Sequence, residues 1–414
     1  MHMMIAGGGI GGLTAALCLH EIGIEVSVFE SASELRELGV GINILPHAVK
    51  EYERLGIDER LLESGVELER YMWFNKFGRE IWSEPRGRKA GYHWPQISIH
   101  RGRFQSILAE TVRERLGADV IRCDHHLADF EQDGDQVVAH FISKKTGQPA
   151  GNYRADALIG ADGIHSVVRR HFYPDEGPPR WSGNMLWRTT IEIDPVCDGQ
   201  TMIAAGYSQR KIVGYEISRE AKTRGKSLFN WIAEVRLADP ETPLPEREDW
   251  NREGDVSEFL PYFADWNFDW LDVPALAQQC DRVWAFPMVD RDPVPAWSFD
   301  RVTLLGDAAH PMWPIGSNGA SQAVLDCRCL ADKLAEHDAI SEAFAAYDAE
   351  RRPAASAIVL ANRANAHDEV LEIAEERAPN GFKNIEEVAS YEELDAIVAK
   401  YRVTALFDKK QLQQ

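Results

Sequence analysis

Three short segments of this chain carry residues whose types and spacing can hold a dinucleotide. The first is Gly7-Gly8-Gly9-Ile10-Gly11-Gly12, a GxGxxG between a hydrophobic strand and a helix. Gly7 permits the tight turn, Gly9 lets backbone approach a pyrophosphate, and Gly12 lets the helix pack on the strand. The N–H groups and positive dipole end of that helix then face the phosphates. Glu30 ends the next strand, 18 residues past Gly12, where a carboxylate accepts from ribose hydroxyls. An acidic residue there disfavours a 2′-phosphate, which points to FAD or NAD rather than NADP.

The second segment, Leu304-Leu305-Gly306-Asp307-Ala308-Ala309-His310-Pro311, ends another hydrophobic strand almost 300 residues downstream. A plain NAD-binding domain has no use for a dinucleotide contact so far along the chain, whereas an extended FAD does. Gly306 makes the turn and Asp307 can hold ribityl hydroxyls. The loop Pro314-Ile315-Gly316-Ser317-Asn318-Gly319 can bring backbone N–H groups to the flavin ring. The helix starting near Gly319 would aim its positive end at the N1/O2 edge. The third segment runs from Gly160 to Arg169, and its Asp162 stands at a strand end where it can serve the pyrophosphate region.

These segments need elements that present them together. Residues 2–6, 10–22 and 24–29 read as strand, helix and strand, the start of an α/β unit. An amphipathic helix is expected over 98–116, followed by two short strands and a third ending at Asp162. Residues 180–290 change character, with alternating Trp, Thr, Val and Tyr, and read as an inserted, mostly antiparallel sheet. The stretch 236–256, rich in Pro, Asp and Glu, reads as a surface loop. Long helices are expected at 317–336 and 341–377, then a polar helical tail.

Bulk properties narrow the partners. The 414 residues carry a net charge of −21, which repels phosphate backbones and anionic lipid. Nucleic acid and membrane are therefore excluded as partners. Cys18, Cys123, Cys197, Cys280, Cys327 and Cys329 are scattered without a CxxC pair, so neither a disulfide framework nor a metal site is expected. The glycine-broken opening lacks a preceding Lys or Arg, and no run of 18 apolar residues exists. A cytoplasmic setting is the expectation.

GxGxxG, a central Asp-Gly and a late Gly-Asp together resemble the class A flavoprotein monooxygenases of the para-hydroxybenzoate hydroxylase type. The likeness runs over nearly the whole chain. The segments LGVGINILPHAV, WSEPRG, ISIHRG, GKSLFNW, FADW, PMVDRDPVP and NGASQAVLD resemble phenazine-modifying members. The resemblance implies an α/β, FAD-binding Rossmann-like (glutathione-reductase type) domain with an inserted, mostly antiparallel substrate sheet and C-terminal helices. The expected boundaries are 1–75, 98–180 and 281–340 for the FAD domain, 76–97 and 181–280 for the substrate sheet, and 341–414 for the C-terminal segment. It implies that Gly9, Gly11 and Gly12 line the pyrophosphate and that Glu30 holds the adenosine ribose. Val40, Gly41 and Arg101 would lie along FAD, and the backbone of Leu127 would touch adenine. Asp162 would serve FAD and the incoming nicotinamide, and Asp307 with residues 315–319 the ribityl chain and ring. Ser317-Asn318-Gly319 departs from the loop of many relatives, which bears on substrate and flavin motion.

A single GxGxxG favours NADH or NADPH as a transient co-substrate that reduces the flavin and leaves. The resemblance implies that dioxygen then adds and that a flavin C4a-hydroperoxide delivers OH to an electron-rich ring carbon of a small aromatic or N-heteroaromatic, phenazine-like and carboxylated substrate. Pro314 is expected near C4a. His47, at a helix start after Pro46, is a candidate base, the competing reading being a histidine with no catalytic role. Met202, Tyr215, Trp231, Met312 and Trp313 are candidate pocket walls, each set against ordinary core packing. The alternatives are an FAD-dependent dehydrogenase or reductase on the same fold, a halogenase (which usually carries WxWxIP, absent here) and a flavin-binding sensor. Monomer and homodimer both remain open.

Overall fold

The computed structural model describes residues 1–414 except 36, 38, 241, 245–248, 250, 251, 365, 366 and 406–414. His2–Ala6 is buried along nearly its whole length because it sits inside a six-stranded sheet. It pairs in parallel with Glu25–Phe29 on one side and Ala157–Gly160 on the other. Val302–Leu304 adds in parallel beyond Ala157–Gly160. Parallel neighbours need a crossover, which the helix Ile10–Glu21 supplies between the first two strands. All three motifs therefore end at the same edge of one sheet, as ligand-binding turns of open α/β sheets do. The helix Gly319–Glu336 packs against Ile10–Glu21 and closes the group.

The second sheet has eight strands, in the order Glu253–Gly254, Val283–Asp290, Arg180–Ile193, Ser227–Arg236, Arg210–Glu216, Thr201–Tyr207, Arg70–Phe74 and Glu80–Pro85. All pairs are antiparallel except Thr201–Tyr207 with Arg70–Phe74. This pairing moves two expected boundaries. The hairpin Arg70–Phe74/Glu80–Pro85 joins the sheet as a unit, so a border at residue 75 would cut it. Val283–Asp290 also belongs to the sheet, beyond the expected border at 280.

Alternation gives the sheet two apolar faces. One carries Trp187, Phe229, Trp231 and Val235 against Phe259, Phe263 and Trp266. The other carries Tyr71, Trp73, Met202 and Tyr215 against Val370, Leu371, Leu394 and Val398 of the C-terminal helices.

Three local expectations are revised. Gln96–His100 is a strand, and the following helix starts at Arg101 with the His100 ring accepting from Arg103 N–H. The helix expected over 341–377 is two, Ile340–Arg363 and Glu369–Arg377. Between them His367 and Asp368 are buried, and Asp368 meets Lys211 Nζ at 2.5 Å. That ion pair anchors the start of the second helix, of which Asp368 is the N-cap, to the sheet. Of the expected loop 236–256, residues 241, 245–248, 250 and 251 lie outside the described residues. Its end forms the short strand Glu253–Gly254 and then the helix Val256–Phe259, closed by an Asp255–Glu258 capping box. Among the described residues no helix is long and apolar enough to cross a membrane.

Candidate active site

The first motif forms a cradle of bare backbone. A Cβ on Gly7 (φ +111°) would lie 2.2 Å from Ala161 O, and one on Gly12 only 2.0 Å from Gly7 O. The turn, the helix and the neighbouring strand thus meet at glycine distance. A Cβ on Gly11 would sit 3.0 Å from Leu305 Cδ2, so the helix also lies against the strand of the second motif. At Gly9 the opposite holds: nothing lies within 4 Å of an added Cβ. Gly9 is the N-cap of Ile10–Glu21, and no side chain caps that helix end. Its N–H groups face open space, which suits a pyrophosphate.

Glu30 is fixed by two backbone donors, Gly8 N–H to Oε2 at 2.8 Å and Ala32 N–H to Oε1 at 2.7 Å. Oε1 also accepts from the Ser31 hydroxyl at 3.2 Å, which leaves Oε2, with its single donor, the oxygen open to a ribose hydroxyl. Leu127 opens the strand region beside it, where His125 N–H bonds Glu30 O at 2.8 Å. Asp162 accepts from Val167 N–H at 2.7 Å through Oδ2, while the buried Oδ1 has no partner among the described residues. Burial pushes the Asp162 carboxyl up.

At the ring end, Asp307 has an open side chain yet lies deep in the protein, and this desolvation pushes its carboxyl up against the pull of His310 and Arg101. Gly319 and Met312 adjoin it, a Gly319 Cβ falling 3.9 Å from Asp307 Oδ1 and 3.8 Å from Met312 Cγ. The loop between is held in left-handed backbone at Gly316 (φ +68°) and Ser317 (φ +57°). The helix Gly319–Glu336 again has no side-chain cap. Val40 and Gly41 run along the other wall. Arg101 N–H bonds Val40 O at 2.9 Å, and Gly41 is clamped by Asn230 Oδ1 at 2.7 Å and Arg188 Nη2 at 2.8 Å. The uncapped helix ends, the orphaned Asp162 oxygen and the open space at Gly9 together fit an extended FAD.

Several positioning residues were invisible to motif reading. Arg169, 1 % exposed, donates to Ala308 O at 3.2 Å, Ala309 O at 2.7 Å and Asp292 O at 2.7 Å, and pairs with Glu176. It ties the third motif to the second. Asp326 accepts from Gly306 N–H at 3.1 Å, His310 Nε2 at 2.6 Å and Arg351 Nε at 2.9 Å. His310 therefore braces the turn. Tyr401, from the helix Tyr391–Thr404, receives Asn318 Nδ2 at 2.9 Å and has Ile315 O at 3.1 Å and Asn362 Oδ1 at 2.8 Å as acceptors for its proton. Gln105 Nε2 bonds Gly8 O at 2.8 Å.

Beside the loop lies a cavity of about 210 Å³, walled by Trp181, Met288, Trp313 and Ile315, by the cations Arg180, Lys211, Arg236 and Arg363 and by the carboxylate of Glu234. Pro314 is exposed between two of these walls. Met202 stands near the loop, since Asn43 Nδ2 reaches both its Sδ at 3.7 Å and Ser317 Oγ at 3.3 Å. Tyr215 interacts with Arg188 beside Gly41.

Two expectations are corrected. Trp231 is not a pocket wall: strand alternation sends it to the far face, edge-on to Phe259 at 5.7 Å, while Asn230 faces Gly41. His47 sits in the helix Pro46–Arg54, 1 % exposed and away from the cavity walls. Burial, aided by Arg351, depresses its pKa to about 3, so the ring is neutral at pH 7 and carries no ionisation into the working range. We expect the pH dependence of kcat/KM to be the same in wild type and His47→Asn between pH 5 and 8. Loss of an inflection in the variant would restore His47 as the base.

Comparison with known proteins decides the family. The model of the family described as FAD binding domain matches residues 1–362. The chain belongs to this family. The flavoprotein is 43% identical over 363 residues to a phenazine 1,6-dicarboxylic acid hydroxylase of Lysobacter antibioticus, covering 87% of this chain and 89% of the relative. It is 31% identical over 350 residues to 3-hydroxybenzoate 6-hydroxylase 1 of Aquipseudomonas alcaligenes, covering 82% of each. Its fold matches Klebsiella pneumoniae HpxO complexed with FAD and uric acid, with TM-score 0.77 at 23% identity over 99% of this chain and 98% of that one. The flavoprotein is thus an FAD- and NAD(P)H-dependent aromatic monooxygenase, and the dehydrogenase alternative is not favoured.

Proposed function

We propose that the flavoprotein hydroxylates a flat, carboxylated N-heteroaromatic acid of phenazine type, using dioxygen, in the cytoplasm and as a monomer or homodimer. One observation carries this reading: beside the flavin loop of a strongly acidic chain is a cavity walled by two indoles and by four cations against a single carboxylate, Glu234. Aromatic walls suit a flat ring, and cations suit its carboxylate. The name of the 43% identical relative points the same way.

FAD, when bound, supplies the hydride acceptor and the activated oxygen. The chain supplies position. Gly9, Gly11, Gly12, Glu30 and Asp162 would hold the dinucleotide half, with Leu127 at the adenine. Val40, Gly41, Arg101, Gly306, Asp307 and residues 315–319 would hold the ribityl chain and ring. Trp313 and Pro314 would press the substrate ring toward the flavin and exclude water, with Met202, Tyr215 and Met312 behind them. The uncharged N–H donors of the 315–319 loop would face the edge of the bound ring and favour negative charge there without adding a proton.

Stopped-flow reduction of the holoenzyme tests this. Phenazine-1,6-dicarboxylic and phenazine-1-carboxylic acids should each speed flavin reduction by NADH or NADPH, and oxygen consumption should match hydroxylated product. Reduction indifferent to every aromatic acid would overturn the substrate class.

A further inference from the structure

The cations of the cavity are not equivalent. Arg363 is engaged by Asp290 at 2.7 and 2.9 Å and by Asp292 at 2.6 Å, and Arg180 meets the same Asp292 at 3.1 Å. Lys211 is flanked by Asp368 at 2.5 Å and Glu234 at 3.4 Å. Their charge is spent inside the protein. Arg236 differs. It ends the strand Ser227–Arg236, is half-buried, and has no carboxylate partner among the described residues. Its Nε is held by Asn184 Oδ1 at 3.2 Å, and Asn184 is itself fixed by Glu234 Oε1 at 2.6 Å. One edge of the guanidinium is thus oriented by a neutral amide, and the Nη atoms remain for an outside acceptor.

We infer that Arg236, steered by Asn184, is the specificity-determining residue that receives the substrate's carboxylate in the cavity beside the flavin loop. This rests on the hydroxylase reading above and names the group that selects acids within it. A guanidinium held along one side offers a carboxylate its fork geometry at little further entropic cost. The cavity's 210 Å³ falls below the ~300–1,000 Å³ of whole-ligand pockets, so it accommodates the acidic edge of a ring whose remainder lies toward Trp313 and Ile315. An anion at this place has two sources, the aromatic acid and the phosphates of the nicotinamide co-substrate, and the test separates them.

Holoenzyme with Arg236→Gln and Arg236→Lys is compared with wild type for binding of phenazine-1-carboxylic acid and of unsubstituted phenazine, followed by perturbation of the flavin spectrum, and for the KM of NADH and NADPH. Arg236→Gln should weaken the acid about 10- to 100-fold, a charge-assisted hydrogen bond's worth, leave phenazine within about 2-fold, and leave both nicotinamide KM values unchanged. Arg236→Lys should recover part of the loss. Equal weakening of acid and neutral ring, or a shift confined to NADH or NADPH, would overturn the assignment while leaving the hydroxylase reading intact. A wild type that binds phenazine as tightly as its acid would remove both the carboxylate reading and Arg236 with it.

Discussion

Gly12→Ala yields a protein that emerges without FAD. The new methyl would stand 2.0 Å from Gly7 O and 3.1 Å from Gly7 C, both backbone atoms. Neither can swing aside, because Gly7 is itself pressed against Ala161 O and its N–H bonds Phe29 O at 2.7 Å. The helix Ile10–Glu21 must lift off the strand, and its N–H groups leave the pyrophosphate position. Overpacking of this kind costs about 1–3 kcal/mol in folding, and the displaced helix end costs the cofactor. Gly9→Ala is the informative contrast. Its backbone (φ −75°, ψ −176°) suits alanine and its methyl meets nothing. The apoprotein should melt as wild type does, yet FAD should bind poorly because the methyl occupies phosphate space. Flavin absorbance per protein and the apoprotein melting temperature read the two effects apart. Stoichiometric FAD in Gly12→Ala would refute the cradle.

Asp326→Asn should be the most damaging change among the side chains that brace the ring end. Asp326 is fully buried, and its two oxygens hold Gly306 N–H, His310 and Arg351. An asparagine removes the charge opposite a guanidinium that is 5 % exposed. Breaking one side of such a buried pair costs about 3–5 kcal/mol. It also frees the Gly306 turn (φ +61°), on which the aim of Asp307 depends. A lowered urea midpoint together with faster FAD release is the expected pair of results. Unchanged values for both would show that the Asp326 charge does not brace the turn. The pH dependence has a definite sign. Burial alone would raise the Asp326 carboxyl, but His310 and Arg351 outweigh it and hold it below the ordinary value. A depressed carboxylate contributes its full stability above its unfolded pKa of about 3.9 and loses it as pH falls through the lower folded value. The gap between wild type and variant should therefore hold from neutrality down to about pH 4 and close only in stronger acid.

The backbone parts of the site were legible because they depend on one residue type at one spacing. Gly7 and Gly12 admit no Cβ, and Glu30 and Asp307 close their strands, so local sequence alone marks them. Arg169, Asp326 and Tyr401 were not legible, since each acts across 20 to 140 residues on partners that only folding brings near. Trp231 shows a different failure. Its strand was foreseen, but which parity faces the flavin is set by Asn230 meeting Gly41, a contact 189 residues apart in sequence. His47 lay at a helix start as expected, but burial, which decides whether an imidazole titrates usefully, comes from tertiary packing. The burial of Asp368 was hidden in the same way, since it looks like an ordinary helical surface residue until Lys211 is seen opposite.

The hold of Tyr401 on the flavin loop carries a temporal consequence. Asn318 and Tyr401 are 83 residues apart in the chain. At translation rates of about 5–20 residues per second, the loop is made roughly 4–17 s before its brace. During that interval Asn318 and the Ile315 carbonyl wait for their tyrosine partner, whereas the Gly7–Gly12 turn has had its strand neighbours at hand since Ala157–Gly160 was made. A nascent chain can therefore capture the adenosine end of its cofactor first and close on the ring last.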